Sequence, residues 1–307
     1  MKFKSEWNIK KIVLCLLSIV VITYGIGAIV LFTNTKIFSP EKSMYNINDE
    51  KSININGINT ISVNVSSAQI NVIPYDGLEV KAHFYGNVTT SSSFTKPELE
   101  CYLSGDTLYI NTKSKNIMTF GFFNYDLKLD VNVPASYGRN LKLDSSSGSI
   151  NLSSLKLKNL SCNLSSGSTN IKQIYADDFN YNSSSGSLTT ENLTTKTSEL
   201  NSSSGSQRLI GFSGDLKASS SSGSIRAEYA SFNNNININA SSGSVTVKLP
   251  ENSDFYLDAS ASSGSIRSSF PITVTSNNNR HELKGTVTSD KNKISIHTSS
   301  GSVNIEK

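Results

Sequence analysis

From Leu141 to the C-terminus, apolar and polar residues alternate with a period of two, as in Leu141, Leu143, Ile150 and Leu152. That period marks β-strands with one buried face. The alternation is punctuated by the tetrapeptide Ser-Ser-Gly-Ser, which occurs eight times with its glycine at Gly148, Gly167, Gly186, Gly205, Gly223, Gly243, Gly264 and Gly301. The intervals are 19, 19, 19, 18, 20, 21 and 37 residues, and the last, close to two periods, predicts a degenerate repeat hidden before Gly301.

Aligned on the glycine, the position seven before it reads Leu141, Leu160, Phe179, Ser198, Leu216, Ile236, Leu257 and Ile294. The position two after reads Ile150, Thr169, Leu188, Gln207, Ile225, Val245, Ile266 and Val303. Both columns should face a core. A unit this short cannot bury enough apolar surface alone, so copies must stack and share one interior. The predicted fold is all-β, a right-handed parallel β-helix or β-solenoid with coils of about 19 residues. The hand follows from the preference of parallel crossovers and from the lack of a hexapeptide period. About ten coils, with strands about 4.8 Å apart, would form a rod roughly 50 Å long.

Two polar columns run beside the apolar ones. Strand parity carried through the tetrapeptide places Ser147, Ser166, Ser185, Ser204, Ser222, Ser242, Ser263 and Ser300 inward, as a hydroxyl ladder at a narrow corner. Each glycine is then expected to turn the coil through a positive φ or a bulge. Four residues before the glycine stand Asp144, Asn163, Asn182, Asn201 and Asn239, which suit a stacked amide ladder. The same array of amides and hydroxyls could bind a glycan or another ordered polar surface.

The template extends upstream. Residues 61–72 carry it with Ala68 in the glycine's place, so the solenoid is expected to begin near residue 53. The run from Leu103 to Leu108 has hairpin-turn chemistry. Residues 118–125, Met-Thr-Phe-Gly-Phe-Phe-Asn-Tyr, concentrate aromatics off the period, as an exposed binding patch or a packed side loop.

The N-terminus follows a different pattern. Ile12 to Phe32 is a run of 21 uncharged residues, 14 of them Leu, Ile, Val or Phe. As a helix it would span about 31 Å, the thickness of a bilayer's hydrocarbon. Lys2, Lys4, Lys10 and Lys11 precede it against Glu6 alone, which keeps the N-terminus cytoplasmic. The expected organisation is a cytoplasmic tail over 1–11, a single membrane span over 12–32 and a linker over 33–52. An extracytoplasmic solenoid follows over 53–307, with irregular coils to 140 and exact repeats from 141. The alternative is a cleaved signal peptide, although the apolar run exceeds a usual one and no clear cleavage site follows.

Composition sharpens the picture. Only 36% of the chain is hydrophobic, while 56 Ser and 34 Asn make up 90 of 307 residues. Both residue types compete with helical backbone, so a large helical protein is excluded, and aligned apolar columns argue against a disordered Ser-rich stalk. The net charge is +4, of which the tail contributes four Lys minus one Glu, or +3. The remaining +1 gives no footprint for nucleic acid.

Catalytic chemistry finds no constellation. His83, His281 and His297 are dispersed and fit no metal spacing. No phosphate loop or nucleophile elbow occurs, and no cofactor is implied. Ser39-Pro-Glu-Lys42 fits Ser-x-x-Lys but lacks its partner motifs. Carboxylates do not align along the repeat, as a glycan-cleaving β-helix enzyme would require. The chain is therefore expected not to be an enzyme. Cys15 lies in the apolar run, and Cys101 and Cys162 suit small core positions, a disulfide between them being the alternative.

The Ser-Ser-Gly-Ser units, the earlier Ile-Asn-Val-Ile-Pro-Tyr-Asp-Gly, the Leu-Lys-Leu-Asp-Val-Asn-Val-Pro before the first repeat and the closing Lys-Ile-Ser-Ile-His-Thr-Ser-Ser-Gly-Ser-Val-Asn-Ile together resemble one family. It is the bacterial β-strand-repeat domain of unknown function labelled "putative adhesin", which includes LiaG-like membrane-anchored proteins. The similarity spans roughly residues 53 to 307. The resemblance implies a β-solenoid on the outer face of a bacterial membrane, acting as an adhesin or envelope scaffold, or as an accessory to envelope-stress signalling. Its partners would be cell-wall material, a glycan or a membrane protein. It carries no catalytic residues over to this chain.

Overall fold

Residues one repeat apart pair in register, and this pairing builds the molecule. In the computed structural model, which describes residues 9–32, 43–90, 96–113, 123–275 and 280–307, Leu160 lies between Leu141 and Phe179 of the neighbouring strands. Each coil has two arms that lie in different faces of the stack. One face is formed, in spatial order, by Thr107–Lys113, Thr60–Val65, Asn140–Ser145 and Lys156–Leu164, then by the C-terminal parts of Ser168–Ser183, Ser187–Ser202 and Gln207–Ser220. Ile236–Ser242, Lys293–Ser300 and Phe255–Ala261 complete it. The other runs from Phe123–Pro134 through Gln69–Tyr75 and Ile150–Ser153 to the N-terminal parts of the same three long strands. It ends with Ile225–Tyr229, Val245–Lys248, Val303–Glu306 and Ile266–Ser268. All of these pairings are parallel. Ten coils are therefore stacked, and at about 4.8 Å each they extend roughly 45 Å.

The interior lies between the two faces. All eight residues seven before the glycine are buried, as are those two after it except Ile266, in the terminal coil, which is half-buried. Towards that end, Phe212, Tyr229, Phe232, Phe255 and Phe270 pack edge to face in sequence, with ring centroids 5.1 to 6.3 Å apart. Such contacts fill this part of the interior with large apolar side chains. The middle coils are more polar inside, where Thr169, Thr190 and Gln207 are buried.

Three expectations need correction. First, the coils are not stacked in chain order at either end. The C-terminal coil, 293–306, lies between 236–248 and 255–268, and the coil 60–75 lies between 107–134 and 140–153. Second, the described residues of the 37-residue interval form no further coil of the stack. The interval forms Glu282–Val287, antiparallel to Phe255–Ala261, and Thr273–Val274, antiparallel in turn to Glu282–Val287. Third, the linker expected over 33–52 is a strand from Ser43, because Ser43–Asn54 pairs antiparallel with Glu79–Thr90, itself antiparallel to Phe123–Pro134. The expected hairpin forms, with Glu98–Ser104 and Thr107–Lys113 joined through Gly105 at φ 61° and Asp106. Antiparallel strands thus cap both faces at one end of the parallel stack, and at the other end the face that closes with Phe255–Ala261.

A helix spans Ile9–Phe32. Its described side chains from Val13 to Gly27 are all exposed. Those 15 positions correspond to about 22 Å of helix, and among the described residues no helix is long and apolar enough to cross a membrane. The Ser39–Lys42 motif and residues 118–122 of the aromatic run lie outside the described residues.

Candidate functional site

Each repeat turns between its arms at the Ser-Ser-Gly-Ser corner. Strand alternation does not continue through it, because two consecutive residues point outward before the glycine turns in. Consequently Ser147, Ser166, Ser185, Ser204, Ser222, Ser242, Ser263 and Ser300 are all exposed and form no inward ladder. Their contribution to stacking is through the backbone. Ser147, Ser166 and Ser185 donate their N–H groups to the carbonyls of Ser66, Ser146 and Ser165 in the preceding coils, each at 2.8 Å.

The inward serine is three before the glycine. Ser145, Ser183 and Ser220 are buried, and their Oγ atoms accept the N–H of Gly148, Gly186 and Gly223 at 2.9, 2.6 and 2.8 Å. A hydroxyl that satisfies a buried backbone donor across a tight corner is a local Ser turn. The run Ser-Ser-Ser-Gly at 145–148, 183–186 and 220–223 carried this signal, with the first serine of the run acting as the cap.

The glycines serve close approach more than turning. Only Gly167, Gly205 and Gly243 of the eight have positive φ. At every one, however, a Cβ would collide with a carbonyl oxygen of the adjacent coil: 2.6 Å from Gly148 O at Gly167, and 2.7 Å from Gly167 O at Gly186. The corner backbones pack too closely for any side chain.

The amide column forms as expected. Asn163 Nδ2 donates to Asp144 Oδ1 at 2.7 Å, Asn182 to Asn163 Oδ1 at 3.0 Å and Asn201 to Asn182 Oδ1 at 3.2 Å. Ser219 Oγ, in the 18-residue repeat, continues it by donating to Asn201 Oδ1 at 2.6 Å. Asn239 stands next to Ser219 but turns its Nδ2 to Asn237 Oδ1, 3.2 Å away. His297 and Ser260 finish the column, with Ser260 Oγ 2.7 Å from His297 Nδ1.

Between this column and the outward serines two before each glycine runs a trough along the stack. One part, of about 640 Å³, is lined by Asn64, Asp144, Asn163, Asn182 and Asn201 with Ser146, Ser165, Ser184 and Ser203. It joins a second part, of about 410 Å³, at Ser202, Ser219 and Ser221, and continues past Asn239 and Ser241 to His297 and Ser299. Among these lining residues Asp144 is the only carboxylate, and Lys142 Nζ lies 3.1 Å from it. Asn182 uses one N–H and one acceptor site within the ladder, so it has a second of both to offer outward. The trough can therefore exchange hydrogen bonds with an extended polar ligand at one rung per coil.

Other sequence candidates are not brought together. His83 Nε2 lies 2.7 Å from Asn48 Oδ1 and His281 Nδ1 lies 3.1 Å from Ala261 O. Among the described residues no three His, Cys, Asp or Glu side chains converge as for a metal. All three cysteines are free. Burial pushes the Cys101 thiol up to about 11 and the fully buried Cys162 thiol higher still.

Several solved structures are similar to this chain. One, described as a "putative lipid binding protein" from Parabacteroides distasonis, is 20% identical with a TM-score of 0.47, over 85% of this chain and 97% of its own. A "putative adhesin" from Parabacteroides merdae is 13% identical with a TM-score of 0.43, over 85% and 96%. Another from Bacteroides fragilis is 15% identical with a TM-score of 0.37, over 87% and 98%. Among curated proteins none matches the chain. The family model described as Toastrack DUF4097 matches residues 58–306, from the first parallel coil to the last, and the chain belongs to that family.

Proposed function

We propose that this protein is a non-enzymatic, membrane-tethered rod on the outer side of a bacterial membrane, which presents the Asn and Ser trough as an adhesive or scaffolding face. The observation that carries the reading is the trough itself, amides and hydroxyls in register along successive coils. A rigid sheet supplies such an array already ordered, which reduces the entropic cost of binding a repetitive polar surface. Cell-wall material or another glycan fits this chemistry, as hydroxyl-rich polymers with regularly spaced donors and acceptors.

The tether rests on the uncharged run 12–32, the lysines ahead of it and the exposure of Val13 to Gly27 on every side of the helix. A helix apolar all round needs an apolar surrounding, and a bilayer supplies one. The N-terminus would remain cytoplasmic. Right-handed winding, expected of parallel crossovers, belongs to the same reading.

The test uses cells that carry the full chain. Protease added outside intact cells should remove the β domain, and protection of that domain would overturn the outward orientation. Cells carrying Asn182→Ala with Asn201→Ala should lose retention on isolated cell-wall material relative to wild type. Equal retention, at equal surface abundance, would overturn the trough as the binding face.

A further inference from the structure

The C-terminal coil reaches its place by crossing a strand. Glu282–Val287 runs antiparallel along one side of Phe255–Ala261, and Lys293–Ser300 runs parallel along the other. The five residues 288–292 make the passage around the end of the strand they cross. Thr288 adopts φ 62° there, a conformation that a β-branched residue rarely holds. Asp254 clasps the crossing, since Ser289 Oγ donates to its Oδ2 at 2.5 Å and Asn292 Nδ2 to its carbonyl oxygen at 3.0 Å.

The slot that receives the coil is lined on both sides by repeats of the same pattern. Ile294 pairs with Ile236 and with Leu257, and Ile296 with Ile238 and with Ala259. Gly301 is likewise packed between Gly243 and Gly264. Neither wall belongs to the C-terminal segment, so every contact it makes can be made identically by the same segment of another copy.

We infer that residues 293–306 are an exchangeable coil, and that two copies of this chain join end to end by each inserting it into the other's slot between 236–248 and 255–268. A short hinge under strain favours such exchange, because opening it releases the strain while all inserted contacts are remade. The exchange is reciprocal and closes on itself as a two-fold dimer, with no slot left empty. Insertion into the chain's own slot competes through the high effective concentration of a tethered segment. Dimers therefore form when chains fold or open at high local density.

The experiment places cysteines at Asn237 and Ser295, which are direct partners across the slot. Parallel partners are within disulfide range. The full chain bearing Asn237→Cys and Ser295→Cys is unfolded and refolded in detergent over a hundredfold range of concentration, oxidised, and run without reductant beside the wild type. The expected result is a disulfide-linked dimer whose fraction rises several-fold across the range. Adding Thr288→Gly should lower that fraction, and adding Asp254→Ala should raise it. An exclusively intrachain disulfide at every concentration would overturn the proposal, as would a dimer fraction indifferent to Thr288→Gly. Should the cysteine pair prevent folding, sedimentation of the refolded wild type reads the same exchange. Dimers that form at high concentration and persist on dilution are expected, and strictly monomeric protein would overturn it.

Discussion

Gly223 lies so close over Gly205 that a Cβ on the former would collide with the carbonyl oxygen of the latter. Its own N–H is held by Ser220 Oγ at 2.8 Å, so the backbone cannot easily swing aside. Unlike Gly205, with φ 120°, Gly223 does not have a positive φ. Substitution at Gly223 thus isolates the steric requirement from the conformational one.

Gly223→Ala should destabilise the protein by about 1–3 kcal/mol, the usual cost of forcing atoms into a packed site. Denaturant unfolding checks it through a lowered midpoint at unchanged slope. An unchanged midpoint would show that the coils can separate locally at the corner, contrary to the close-approach argument.

Thr190 lies inward between Ile171 and Leu209, fully buried, and its Oγ1 has no hydrogen-bond partner. An unpaired buried hydroxyl costs about 1–3 kcal/mol relative to a paired or apolar group. Thr190→Val keeps the branched shape and removes that atom. The variant should be more stable by about 1 kcal/mol, which for a domain of this size raises the melting temperature by roughly 2–4 °C. A lowered melting temperature would mean that a buried water or an alternative rotamer satisfies the hydroxyl.

Much of this architecture was legible because the chain repeats itself. Leu141, Leu160 and Phe179 announced one inward column, and Asp144, Asn163 and Asn182 announced the ladder, since each occupies the same step of successive coils. Parity failed at Ser147 because a corner has no alternation to extrapolate, and the sign that was present, a third serine ahead of the glycine at 145, 183 and 220, is read only once the corner is known to be a Ser turn. The insertion of 293–306 was hidden for a different reason. Ile236, Leu257 and Ile294 are interchangeable in pattern, so the sequence specifies that coils stack without specifying which coil is next to which.

Glu228 lies where the charged side chains of one face meet. Its Oε1 accepts a 2.7 Å hydrogen bond from Arg226 Nε, which holds its carboxyl below the usual range against a smaller effect of burial. Arg208 stands 4.0 Å away, and Lys248 is the strand partner of Glu228. The depressed pKa makes the folded state more stable above the unfolded value of about 4.3, and that stability is lost as pH falls through the folded value. Glu228→Gln should therefore lower stability at pH 7 by about 0.5–1 kcal/mol and leave it nearly unchanged in acid below both values. Urea midpoints at the two pH values check this, and an equal loss at both would assign the effect to packing instead.

The second corner of four successive coils asks for the left-handed conformation at one stacked position. Ser154, Gln173, Asn192 and Gly211 occupy it with φ of 54°, 53°, 55° and 65°. Asn and Gly tolerate this region, whereas a side chain such as that of Gln is penalised by about 1–2 kcal/mol. Gln173 offsets part of that by accepting a 3.2 Å hydrogen bond from Ser154 Oγ at the surface. Gln173→Gly removes the steric penalty at the expense of backbone entropy in the unfolded chain, and the balance should favour the variant by about 0.5–1 kcal/mol. Gly211→Ala should act in the opposite sense, because its Cβ would stand 2.5 Å from Asn192 Oδ1 at a φ that already disfavours it. Calorimetric melting of the two variants beside the wild type is the check. A fall in melting temperature for Gln173→Gly would show that the Ser154 contact outweighs the backbone conformation at this corner.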